Sequence, residues 1–200
     1  MVFKEEIFVG KLTIEYDVNH QSPFNNFETM DSLSTLWSTF FDICRLRLKP
    51  QDLPHSNTLL SVTLFVYTII GMALSMVQFS LPESLLSALV DTGLLVILIG
   101  SLLYFAHFRE RTTQTLTALA GTNCVLEIIG SPIIFWFGFY EGDMTIPILL
   151  LLGLIVWNMV VYAHILRHAL SVPFFISGLL TMIIYSLTFS VLSQLIPFAK

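Results

Sequence analysis

The sequence predicts an all-α integral membrane bundle, five transmembrane helices preceded by an amphipathic interfacial helix. Three observations predict it. Of the 200 residues, 55% are hydrophobic and only 12% are charged, with a mean hydropathy of +0.80, where a soluble domain carries about a quarter charged residues. The apolar residues come in runs long enough to cross a bilayer, which takes about 20 residues of helix. Finally, the arginines and lysines between these runs all fall on one side of the zigzag that the runs imply.

Residues 1–30 differ from everything after them. Ile7, Val9, Leu12, Ile14 and Tyr16 alternate loosely with Lys11, Glu15 and Asp17, and Asn19, Pro23, Asn25 and Asn26 follow as a loop. Glu5 and Glu6 and the lack of an apolar core argue against a signal peptide. The piece is too short to bury a core of its own. It reads as a mobile extension or, if Met30 is the natural start, as one that is not native.

From Asp31 to Lys49 the pattern is helical. Leu33, Leu36, Trp37, Phe40, Phe41 and Cys44 recur at spacings of three and four and form one apolar stripe. Asp31 and Ser32 suit the start as caps. Arg45, Arg47 and Lys49 beside the first span favour a helix lying in the cytoplasmic interface, its stripe toward the acyl chains. Docking on a partner helix is the alternative. Trp37 reads as an interface anchor, and the prolines of Pro50-Gln51-Asp52-Leu53-Pro54 break the helix into an elbow.

The spans follow at residues 58–79, 84–106, 113–140, 145–166 and 172–197, so that the membrane domain covers 58–199. Pro82 marks the first outer turn, and Arg109-Glu110-Arg111 the next loop. Glu141-Gly142-Asp143 follows the third span, Pro147 opens the fourth and Arg167-His168 marks its end. Arg45, Arg47, Lys49, Arg109, Arg111 and Arg167 share one side, whereas the opposite loops carry Glu83, Glu141 and Asp143. The positive-inside rule then puts the amino terminus in the cytoplasm and the carboxyl terminus outside. Trp136, Phe139 and Tyr140 form the outer aromatic belt, with Tyr104, Phe105 and Phe108 near the inner one.

Chemistry has few places to reside. Glu127 sits near the middle of the third span, where a carboxylate must be neutral, paired or bathed in water. Ala120, Asn123, Gly130 and Ser131 share its helix face, a small polar strip that should look into the bundle. Pro132 is expected to bend the helix just beyond. Either Glu127 is a proton or cation relay, or it is a protonated carboxyl bonded to a neighbour such as Asn158. Asp91, sharing a face with Ser84, Ser87 and Ala88, lies about 12 Å below the outer end of its helix. It is expected to make a packing contact in the outer leaflet, with a water-lined cavity reaching toward Glu127 as the alternative. The two carboxylates need not touch. His164 and His168 are one turn apart at the edge that also holds His107, and they read as interface anchors because no HExxH or acid-and-cysteine set accompanies them. Cys44 and Cys124 read as free thiols in apolar surroundings. Neither a metal nor a cofactor is expected.

The net charge of −5 says little about partners, and no basic block is large enough to suggest nucleic acid, so no nucleic-acid partner is expected. No phosphate-cradling glycine loop, nucleophile elbow or CxxC pair is present, and the loops are too short for a catalytic domain, so the expectation is not an enzyme. The layout, with Trp157-Asn158 opening a stretch that runs through His164-Ile165-Leu166-Arg167-His168-Ala169 to a basic turn, resembles the Yip-type five-span membrane proteins over residues 58–199. The acidic aromatic motif that precedes the first span in eukaryotic members has no counterpart here. The compact size is closer to uncharacterised bacterial inner-membrane relatives, for which the resemblance implies no known activity. The leading expectation is an accessory, assembly or scaffolding subunit that sits in the lipid bilayer beside a membrane-protein partner or a second copy of itself. A small proton-coupled or cation-linked transporter using Glu127 and Asp91 is the competing one. A cofactor protein using the histidines is third.

Overall fold

The computed structural model describes residues 31–139 and 144–195, the side chains of 31–34, 137 and 138 excepted. The expectations for residues 1–30, for the caps Asp31 and Ser32, for Tyr140 and for Glu141-Gly142-Asp143 lie outside it. The described residues form six α-helices in a single all-helical bundle: α1 (Asp31–Cys44), α2 (Asn57–Ser75), α3 (Leu81–Phe105), α4 (Thr112–Phe139), α5 (Thr145–Leu170) and α6 (Phe174–Leu195). Helices α2 to α6 are long and apolar enough to cross a membrane. Their outward faces are oily, with Phe65, Phe105, Phe175 and Phe189 all strongly exposed, as lipid contact requires.

Helix α4 is the axis. It packs against α2, α5, α1 and α3, and every position from Thr115 to Leu126 is buried. That stretch is rich in Ala, Gly, Thr and Asn, which let neighbouring backbones approach where lipid supplies no hydrophobic drive for association. Its threonine hydroxyls return to their own helix, Thr115 to Arg111, Thr117 to Thr113 and Thr122 to Ala118, so none needs an outside partner. Helix α4 also runs on through Pro132. Proline has no N–H for the carbonyl four residues back, which is that of Ile128. The Ser131 hydroxyl donates to that oxygen at 2.8 Å and takes the missing donor's place.

Several boundaries differ from those read in the sequence. Helix α1 stops at Cys44 rather than Lys49. The Arg47 N–H bonds Asp42 O at 3.0 Å and the Leu46 N–H bonds Ile43 O at 2.9 Å, with Leu46 at φ 62°, which is a Schellman stop made without glycine. Helix α2 ends at Ser75 rather than Phe79, because Val77 and Gln78 turn back on Leu74 and Ser75. Helix α3 starts at Leu81, so Pro82 lies in its first turn instead of ending the previous span. The N–H and hydroxyl of Ser80 both donate to Glu83 there, which makes Glu83 part of the helix start. Helix α5 runs to Leu170, with Arg167 and His168 inside its last turn, and Ser171 ends it at φ 57°.

The carboxyl-terminal end of the α1 stripe faces protein, where the sequence favoured acyl chains. Phe40, Ile43 and Cys44 are buried, the Phe40 ring lies directly on Gly121 of α4, and the Cys44 thiol donates to Thr122 O at 3.8 Å. The Trp157 indole donates to Cys44 O at 3.0 Å. Thr122 and Trp157 lie roughly 15 and 20 Å from the basic ends of their helices at 1.5 Å per residue. The end of α1 is therefore sunk into the bundle, and burial there pushes the Cys44 thiol up to about 12.

From Cys44 the chain follows α5 down to its end. His164 Nε2 meets Leu48 O at 3.1 Å, and the Gln51 amide donates to His168 O at 2.6 Å. Gln114 of α4 donates to Gln51 O at 3.3 Å and to Leu53 O at 2.7 Å. Arg111 donates to His168 O, Ala169 O and the Ser171 hydroxyl, capping the open carbonyls of α5. Residues 45–56 thus form an elbow clamped across the basic ends of α4 and α5.

Candidate functional site

The five membrane-length helices enclose a polar cavity of about 250 Å3, and each contributes to its wall. Helix α2 supplies Tyr67, α3 supplies Asp91, α4 Asn123 and Glu127, α5 Asn158 and Tyr162, and α6 Tyr185. Helical spacing explains the set on α4: Asn123 and Glu127 are four residues apart on one face, which turns inward because Ala120 and Gly130 on the same face are buried too. Ser131, also expected on that face, is only half-buried and bonds its own helix.

Asp91 is not an outer-leaflet packing residue. It shares the cavity with Glu127 and accepts a hydrogen bond from the Tyr67 hydroxyl. One turn on, the Thr68 and Thr92 hydroxyls meet at 2.9 Å and help hold α2 against α3. The hydrogen bond expected between Glu127 and Asn158 is not formed. Oε2 of Glu127 and Oδ1 of Asn158 are both buried with no hydrogen-bond partner, and so is Oδ1 of Asn123. Asn123 is only 5% exposed, and its amide is oriented by donating to the Tyr162 hydroxyl at 2.8 Å. The Tyr162 and Tyr185 rings stand edge to face with centroids 5.2 Å apart. Gly71 leaves room beside the other Glu127 oxygen, since a Cβ there would lie 4.0 Å from Oε1.

No Lys, Arg or His lines this cavity. Two carboxylates and two amides with an unpaired oxygen therefore share one cavity wall, in a medium where charge is poorly screened. Such an arrangement is satisfied by donors or positive charge: a proton, a cation or both. Tyr67, Tyr162 and Tyr185 escape a sequence search, because a tyrosine in an apolar run looks like any other belt or core aromatic. Only their helical register against Asp91 and Asn123 separates them.

The remaining predicted residues lie elsewhere. Arg109 stacks on Tyr104 at 4.3 Å, Arg111 on Phe108 at 4.9 Å and Arg45 on Phe41 at 5.8 Å. Arg47, Lys49 and Arg167 are exposed. Trp37 is 44% exposed on the rim of a second, apolar groove between α1, α2 and α4. The His164 and His168 rings pack edge to face with centroids 4.6 Å apart, and no group of three His, Cys, Asp or Glu suited to a metal occurs among the described residues. His107 has φ 63° and ends α3 as Leu46 ends α1, with Phe108 N–H on Leu103 O at 2.9 Å. No protein-family model, curated protein or solved structure matches this chain.

Proposed function

We propose that this chain is a small cation-linked carrier of the bacterial inner membrane, with the cavity around Glu127 and Asp91 as its translocation site. The observation that carries the reading is the surplus of acceptors: Glu127 Oε2, Asn123 Oδ1 and Asn158 Oδ1 lack donors in a cavity walled by all five long helices. Buried polar atoms are ordinarily paired, and leaving one unpaired costs about 1–3 kcal/mol, so three on residues that line one cavity favour an occupant. Intramembrane carboxylates in general mark ion or proton pathways.

The chemistry follows from charge. A cation held by the ionised carboxylates is released when a proton binds a carboxylate oxygen and removes the negative charge. Proton and cation thus exclude each other, and one is driven against the other. The positive-inside rule puts the basic elbow on the cytoplasmic side of this site.

The test is proton movement in vesicles reconstituted with the full chain, measured with a trapped pH dye under an imposed gradient. Glu127→Gln keeps the shape and removes the charge, and at least a tenfold loss of flux is expected. Flux equal to that of the parent protein would leave the accessory-subunit reading as the better one, which gentle extraction with its neighbours would then follow up.

A further inference from the structure

We propose that the occupant of this cavity is a small protonated organic amine, its ammonium between Glu127 and Asp91 and its apolar body against the tyrosine walls. This inference rests on the carrier reading and adds the class of substrate. Four features point the same way. The charge of the site is acidic and unopposed by any basic side chain. The wall offers acceptors to match: an alkylammonium carries three N–H donors, and Glu127, Asp91, Asn123 and Asn158 all line the cavity. Asn123 is the independent witness, since it is neutral, nearly fully buried, held by its bond to Tyr162, part of the cavity wall, and has an amide oxygen without a partner.

The third feature is size. At about 30 Å3 per water molecule, a cavity of about 250 Å3 is far more than a lone ion fills. Hard metal ions also take six or more close oxygen ligands, and no metal-suited cluster occurs among the described residues. The fourth is the wall. Tyr67, Tyr162 and Tyr185 bring aromatic surface to the carboxylates, joined by Leu95 and Ile184. Ring faces attract an ammonium and accept the hydrocarbon it carries. A site for a bare proton needs none of that surface.

Phenethylamine, a primary aromatic amine charged at pH 7, is the probe, and 2-phenylethanol is its neutral counterpart of the same shape. Calorimetric titration into the full-length protein in lipid nanodiscs is expected to show saturable amine binding at least tenfold tighter than that of the alcohol. Glu127→Gln is expected to weaken the amine at least tenfold without affecting the alcohol, Glu127→Asp to retain part of the affinity, and Ser193→Ala on the exposed face of α6 to change nothing. Amine and alcohol bound equally well, or no amine binding at all, would overturn the proposal using the unaltered protein alone, whatever the variants do. Vesicle flux separates the two readings. Glu127-dependent proton flux without amine binding overturns the amine and keeps the carrier, whereas Glu127-dependent amine binding without proton flux keeps the amine site and overturns the carrier.

Discussion

At the residue scale, the non-glycine positions with left-handed backbone are the clearest targets. Leu46 and His107 end α1 and α3 at φ 62° and 63°, a conformation that costs an L-residue with a Cβ roughly 1–2 kcal/mol. Both are exposed, and no side-chain hydrogen bond holds either of them. His107→Gly should therefore stabilise the protein by about 1 kcal/mol, less the entropy that glycine adds to the unfolded chain. A higher midpoint of thermal unfolding in detergent is the expected readout, and a lower one refutes the capping role. Cys44 makes a second case. Its thiol, raised to about 12 by burial, stays protonated at pH 8, and the thiolate is the reactive form. Maleimide should leave Cys44 unmodified in the folded protein and label it once detergent denatures the bundle. Of these residues the sequence disclosed only that the cysteines sit in apolar surroundings. The positive φ of Leu46 and His107 carries no sequence signal, because Gly or Asn would be the expected markers.

At the element scale, α1 and the elbow show what helical periodicity can and cannot tell. The spacing picked out Phe40 and Cys44, which are buried, but also Trp37, which is 44% exposed, and passed over Ile43; nor does a stripe say whether lipid or protein will cover it. What decides it is Gly121, a missing side chain on another helix, against which the Phe40 ring lies. Gly121→Leu should displace the ring and loosen α1, at a cost of about 1–3 kcal/mol for overpacking. Combining it with Phe40→Ala should recover much of that loss, and a double-mutant cycle of thermal midpoints measures the coupling. The elbow depends on donors rather than packing. Arg111 and Gln114 hold its carbonyls and those of α5, so replacing both with Ala should free residues 45–56. Trypsin cutting after Arg45 and Arg47, both exposed, is expected to speed up severalfold. An unchanged rate would mean that the clamp does not hold the elbow.

At the scale of the whole molecule, the bundle and its count of spans were legible because composition, run length and charge asymmetry all depend on the solvent the chain must dissolve in. The cavity was legible only in pieces. Glu127, Asn123, Asp91 and Asn158 stand out as polar residues in oily runs, yet their convergence depends on how far each helix is slid and turned against α4, which no single helix records. Asp91 is the example: its place along α3 follows from the helix end, whereas its bond from Tyr67 needs the register of α2 against α3. The same dependence makes the arrangement testable by accessibility. If α2 crosses the membrane once, His55 in the elbow and Gln78 in the following turn, both exposed, must face opposite compartments. Single cysteines placed there, with Cys44 and Cys124 buried and so quiet, should react with an impermeant maleimide from opposite sides of sealed vesicles. Glu110→Cys should behave as His55→Cys does, because Arg111 ties its turn to the α5 end beside Gln51. Labelling of His55→Cys and Gln78→Cys from the same side would break the five-span bundle, and with it the cavity that only those helices together enclose.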